Sequence, residues 1–142
     1  MKHKLETACA FSLNDWWTLA RTWFLLLAID LGLRVLPFKR VQAFAAQVRP
    51  RDATSERDNA WNTIQRLHRF VDIAARHHLY PMTCLRQALA LQCMLGQRGI
   101  ATDLRIGVRK DGGALDAHAW VEHSGLIIER TPSTIVEFAT IV

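Results

Sequence analysis

Leu13, Trp16, Ala20, Trp23, Leu27 and Leu31 recur at the three- and four-residue intervals of one helix face. Ser12 stands three residues ahead of Asp15, the spacing of a capping box, so a helix is predicted to start there. Pro37 interrupts it, and a shorter apolar segment runs on to about Val48. Pro50 to Asn59 is polar and reads as a connection. Within it, Ser55 and Asp58 supply a second cap, for a helix whose apolar face is Trp61, Ile64, Leu67, Val71 and Ala74. No strand alternation occurs in this half. The most apolar stretch, Trp23 to Leu33, is bracketed or interrupted by Arg21, Asp30 and Arg34. Its uncharged run falls short of the roughly 18–20 residues a spanning helix needs, which predicts a buried helix and no spanning membrane segment. Contact with a membrane surface is the alternative.

The pattern changes at His77-His78-Leu79-Tyr80-Pro81, because Pro81 disfavours helical geometry at Tyr80. Thr83 is a good helix cap, and Cys84 would open the next helix, Cys84 to Gly96. That helix is apolar nearly all round, which predicts a central, buried position. Gly96 and Gly99 are its stop signals. Strand alternation follows: Leu104, Ile106 and Val108 against Asp103, Arg105, Gly107 and Arg109, then Ala117, Ala119 and Val121 against His118, Trp120 and Glu122. Asp111-Gly112-Gly113 and Ser124-Gly125 are turns, and Leu126 to Glu129 is the returning strand. The predicted class is α+β, with a helical part over 1–80, the Cys84 helix and the sheet over 81–142, and one domain over 1–142.

The 142 residues suffice for a hydrophobic core, and half of them are hydrophobic. There is no room for a separate nucleotide-binding domain. The net charge of +5 is uneven: residues 1–48 carry six basic and three acidic residues, 49–110 eleven and five, and 111–142 one and five. The basic middle could attract nucleic acid or an acidic peptide. Its arginines are spread singly and match no nucleic-acid module, so a solvated face or an acidic peptide partner is expected and nucleic acid is not. The basic opening Met1-Lys2-His3-Lys4 is followed by Glu6, Asn14 and Asp15 and does not read as a signal peptide. Three cysteines cannot all pair, so the sequence predicts a reducing, cytoplasmic location.

Cysteine reacts as the thiolate, which a helix N-terminus favours. Cys84 has that placement. Cys93 lies nine residues on, half a turn out of phase at about 100° per residue, and Cys9 sits in a poorly patterned segment. A nucleophilic thiol needs a base, and the base needs an orienter. His118 lies in a predicted strand after the Cys84 helix, where a lone histidine is ordinarily structural. If Ser124-Gly125 is a two-residue hairpin turn, paired positions sum to 249. Glu129 then faces Trp120 and lies diagonally from His118, within reach of a long side chain at roughly 7–8 Å. Glu129 is the candidate orienter. Asp116 and Glu122 share the face but lie along the strand of His118 itself.

Thr83-Cys84-Leu85-Arg86-Gln87-Ala88-Leu89-Ala90-Leu91, Gln97-Arg98-Gly99-Ile100, Arg105-Ile106-Gly107-Val108-Arg109 and Ala117-His118-Ala119-Trp120-Val121-Glu122 follow one another in order. Together they resemble the lasso-peptide leader peptidases, the maturation protease B proteins of the transglutaminase-like cysteine-protease superfamily. The resemblance covers roughly Cys84 to Glu129. It implies a transglutaminase-like, papain-like core and removal of the leader from a ribosomally made precursor, with Cys84 as nucleophile, His118 as base and the first N–H groups of the Cys84 helix as oxyanion donors. The family usually places its acidic residue one position later, where this chain has Arg130. The roughly 80 residues before Cys84 lack the strands of a leader-recognition domain. The chain therefore resembles the stand-alone type, which implies a separate leader-binding recognition protein as partner, beside the precursor leader and a lasso cyclase. Trp16, Trp17 and Trp23 are candidates for the docking surface, against helix packing as the plainer role. ATP dependence occurs in the family, yet no Walker-type loop is present and no cofactor is identifiable.

Two other constellations are weaker. His68, His77 and His78 with Cys84 match no zinc spacing, so no metal site is predicted, although His77 or His78 could line the cleft beside Cys84. Asp111-Gly112-Gly113 is a turn, not a phosphate cradle. Another thiol acyl-transfer enzyme on the same fold and a non-catalytic peptide-binding module are the alternative functions.

Overall fold

A computed structural model of the chain describes residues 11–49, 57–128 and 139–140. Among the described residues four helices precede the sheet: α1 (Leu13–Val35), α2 (Phe38–Ala45), α3 (Arg57–Arg76) and α4 (Cys84–Gly96). The strands are β1 (Asp103–Asp111), β2 (Ala114–His123), β3 (Leu126–Ile128) and β4 (Ala139–Thr140). The sheet order is β3-β2-β1-β4 with every pair antiparallel. This is the α+β layout of the sequence reading.

The start of α1 is the predicted capping box, with the Ser12 hydroxyl accepting from the Asp15 amide and the Asp15 carboxylate accepting from the Ser12 amide. Its end follows from Pro37. Leu36 still donates to the Gly32 carbonyl at 2.7 Å, and Pro37 has no N–H to continue the ladder. The buried face of α1 is not the predicted one. Thr22, Leu26, Ile29 and Asp30 are buried, whereas Leu13, Ala20 and Leu31 face solvent. Between Trp23 and Leu33 apolar residues occupy most sides of the helix, so periodicity does not reveal the inward face, and the stretch is buried at Leu26, Ile29 and Asp30. On α3 the predicted face is buried at Ile64, Leu67, Val71 and Ala74, joined by Phe70, while Trp61 lies at the surface. The proposed Ser55 cap lies outside the described residues.

The central helix is α4. Every residue from Ala88 to Gly96 is buried, and the core is built on it by α1, α2, α3 and β2. Gln92, itself buried, donates to the Thr102 carbonyl at 3.0 Å and ties α4 to the entry of β1. The chain leaves α4 through Gly99, whose φ of 75° lies in the left-handed region that favours glycine.

Both hairpins are as predicted. Asp111 pairs with Ala114 around Gly112-Gly113, and His123 pairs with Leu126 around Ser124-Gly125, all four turn residues having positive φ. Val121↔Ile128, Glu122↔Ile127 and His123↔Leu126 each sum to 249, the expected register. Strand β4, paired to β1 at Gly107 and Val108, was not anticipated, because two residues are too few to show alternation. Among the described residues no helix is long and apolar enough to cross a membrane.

Candidate active site

Cys84 is the first residue of α4 and is half-buried. Thr83 occupies the N-cap position, but its side chain makes no capping hydrogen bond, contrary to expectation. Its hydroxyl instead accepts from Arg86 Nη1 at 3.5 Å. The opening N–H groups of α4 are thus left uncapped by that side chain, as an anion-binding helix start requires. Cys93 lies on a buried side of the same helix, and burial pushes its thiol up from the ordinary value.

His118 sits half-buried in β2, opposite Gly107 of β1. Cys84 and His118 border one cavity of about 180 Å³, with His68, Gln87 and Trp120 beside them and Val71, Leu91 and Val121 among its apolar lining. That volume is below the roughly 300–1,000 Å³ of a pocket that encloses a drug-sized ligand. A larger groove of about 480 Å³, edged by Arg49, Arg66 and Arg98 between α1, α3 and the end of α4, contains neither Cys84 nor His118.

The His118 ring stacks nearly parallel to Trp120, with centroids 6.2 Å apart and planes at 18°. Trp120 is buried, and its Nε1 donates to Glu122 Oε1 at 3.0 Å. Glu122 Oε2 accepts from Arg105 Nε at 3.2 Å across the strand pair. Glu122 therefore fixes the indole that fixes the face of the imidazole. Asp116 pairs with Arg109 at 3.1 Å. Both acids on the His118 strand are thus engaged with arginines. Glu129 and Arg130 lie outside the described residues, as does Cys9. The register of β2 and β3 sums to 249, as the expectation for Glu129 assumes.

The segment before Cys84 is held by a polar cluster that sequence reading missed. Asp30 is buried; its Oδ2 accepts from Tyr80 Oη at 2.6 Å and from Arg34 Nε at 2.9 Å, and Arg86 Nε approaches its Oδ1 at 2.6 Å. The Tyr80 hydroxyl, offset by desolvation and joined by the two arginines, holds the Asp30 carboxyl below its ordinary value. The same bond raises the Tyr80 phenol. Tyr80 and Arg86 flank Cys84, so this cluster pins the start of α4 to α1.

His77 and His78 do not reach the cavity. His78 stacks on Trp23 at 4.4 Å and 20°, and the His77 carbonyl accepts from Trp23 Nε1 at 3.4 Å. The cavity histidine beside His118 is His68, one turn from Ile64 and Val71 on the buried face of α3, a position the helical spacing could have disclosed. Trp23 is committed to the histidines, Trp16 meets Phe11 edge-on at 5.9 Å, and Trp17 is exposed. Among the described residues no three of His, Cys, Asp and Glu are grouped to hold a metal ion.

No curated protein and no solved structure matches the chain. The family model described as transglutaminase-like superfamily matches residues 23–142, which include Cys84, His118 and the four described strands. That superfamily is one of cysteine peptidases and acyltransferases, in keeping with a helix-start thiol and a strand imidazole on one cavity. On this match the chain belongs to the transglutaminase-like superfamily.

Proposed function

We propose that the chain is a cysteine protease that removes the leader peptide from a ribosomally synthesised lasso-peptide precursor. The observation that carries the thiol chemistry is the shared cavity of Cys84 and His118. The finer substrate rests on the resemblance of the Cys84 to Glu129 motifs.

In this reading the Cys84 Sγ attacks the carbonyl carbon at the leader–core junction while His118 takes the thiol proton. The uncapped N–H groups at the start of α4 stabilise the tetrahedral oxyanion. As the C–N bond breaks, His118 returns the proton to the departing core amine. The leader remains as a thioester on Cys84 until water, deprotonated by His118, releases it as a carboxylate and restores the thiol. Glu129 orients the imidazole, and Trp120, held by Glu122, shields one side of it. The narrow cavity admits one small group beside the scissile bond, and a separate recognition protein presents the leader. The reaction proceeds in the cytoplasm, where the thiol stays reduced, as one 1–142 domain and with no cofactor in the chemical step.

The test is incubation of precursor, recognition protein and enzyme, followed by mass spectrometry. Two peptides summing to the precursor plus water are expected, and Cys84→Ala should abolish them while leader binding persists. An adduct of two peptides would assign acyl transfer instead. Processing by Cys84→Ala would remove Cys84 from the nucleophile's role.

A further inference from the structure

One face of α1 has no cover among the described residues. Leu13, Trp17, Phe24, Leu31 and Val35 are 90%, 66%, 64%, 60% and 74% exposed. Ala20 and Ala28, also exposed, fill the gaps between them. At 100° per residue all seven lie within about 80° of one another, forming a single stripe along the helix. With full side chains of roughly 150–250 Å², the five large residues alone present on the order of 700 Å² of mainly apolar surface, close to the roughly 800 Å² per partner of a standard interface.

The stripe is a palindrome. Leu13 and Val35, Trp17 and Leu31, Ala20 and Ala28 are each symmetric about Phe24, every pair of numbers summing to 48. A twofold, antiparallel helix pair requires this symmetry, because position i then meets position 48 − i of the other copy. Bulky residues meet bulky ones at the ends, and the two alanines beside Phe24 leave room for the paired central rings. The bordering cations do not oppose each other: Arg21 would meet Leu27, and Arg34 would meet Asn14. We propose that α1 is a homodimer interface, in which it packs antiparallel against α1 of a second copy of this chain about a twofold axis at Phe24.

Sedimentation of the full chain at micromolar concentration should give twice the chain mass. Phe24→Glu and Leu31→Glu, both at exposed positions, should give the monomer mass with an unchanged far-ultraviolet circular dichroism spectrum. Cross-linking reads the symmetry independently of those variants. In a Cys9→Ser, Cys84→Ser chain that keeps the core residue Cys93, Phe24→Cys should join two copies through a short bismaleimide. Leu13→Cys should do so only when mixed with Val35→Cys. A monomeric wild-type chain would overturn the proposal, whether the recognition protein or lipid vesicles then occupied the stripe. So would a dimer that survives both glutamate variants, or self-linking by Leu13→Cys alone.

Discussion

Gly96→Ala tests how α4 is held at the end remote from Cys84. In a helix this exchange ordinarily stabilises by about 0.5–1 kcal/mol, through lower unfolded-state entropy. Here the added Cβ would lie well inside van der Waals contact with the Gln47 carbonyl oxygen and 3.2 Å from its carbonyl carbon. Both are backbone atoms, so no side-chain rotation relieves the overlap. The 47–49 segment must move, and with it the bond from the Arg49 amide to the Gly96 carbonyl at 2.9 Å. Overpacking costs about 1–3 kcal/mol and loss of that bond about 0.5–1.5. Set against the helix gain, the net expectation is destabilisation by about 0.5–4 kcal/mol. Urea unfolding followed by circular dichroism should show a lower midpoint at unchanged slope, and Tm should fall by roughly 3–10 °C. Cys84 lies twelve residues away, about 18 Å along the helix, so turnover below the transition should stay at the wild-type rate. A midpoint equal to or above wild type would refute the close approach of α4 and the 47–49 segment.

Three further outcomes are expected. Glu122→Gln weakens the link from Trp120 to Arg105 and should lower unfolding stability by about 1–2 kcal/mol, read by tryptophan fluorescence; an unchanged midpoint would mean that the Trp120–Glu122–Arg105 chain contributes nothing. Asp30 has a folded pKa held below 3.8, so its contribution is fully present above about pH 4 and is lost as pH falls through the folded value. Asp30→Asn should therefore flatten the acid limb of the urea midpoint against pH, and an acid limb as steep as wild type would contradict the Asp30 cluster. Glu129→Gln should slow leader cleavage strongly while the circular dichroism spectrum stays unchanged, and wild-type cleavage would assign the orienting role to another residue.

The most legible elements were those in which local pattern and tertiary need agree. Cys84 to Gly96 reads as a buried helix because nearly all its positions are apolar, and the hairpins read correctly because Gly112-Gly113 and Ser124-Gly125 accept positive φ. The juxtaposition of Cys84 and His118 was legible only as far as topology allows: a helix start followed by a meander brings both to one cavity. The face of α1 is not legible, since apolar residues occupy most of its sides, two of its four buried positions are the polar Thr22 and Asp30, and a choice of phase needs the partners it packs against. Asp30 looked like an interruption in an apolar run. Its partners Tyr80 and Arg86 lie 50 and 56 residues away and have no sequence-local signal. His68 lines the cavity, whereas of the adjacent pair His78 stacks on Trp23 and His77 meets Trp23 through its carbonyl.

In the proposed reaction Cys84 attacks the precursor with His118 as its base. Acid-quenched single-turnover mixtures, analysed by intact mass and peptide mapping, test it most directly. A transient mass increase equal to the leader acyl group is expected, mapped to Cys84, absent from Cys84→Ala and formed far more slowly by His118→Ala. Leader release by Cys84→Ala, or an adduct on another residue, would contradict it.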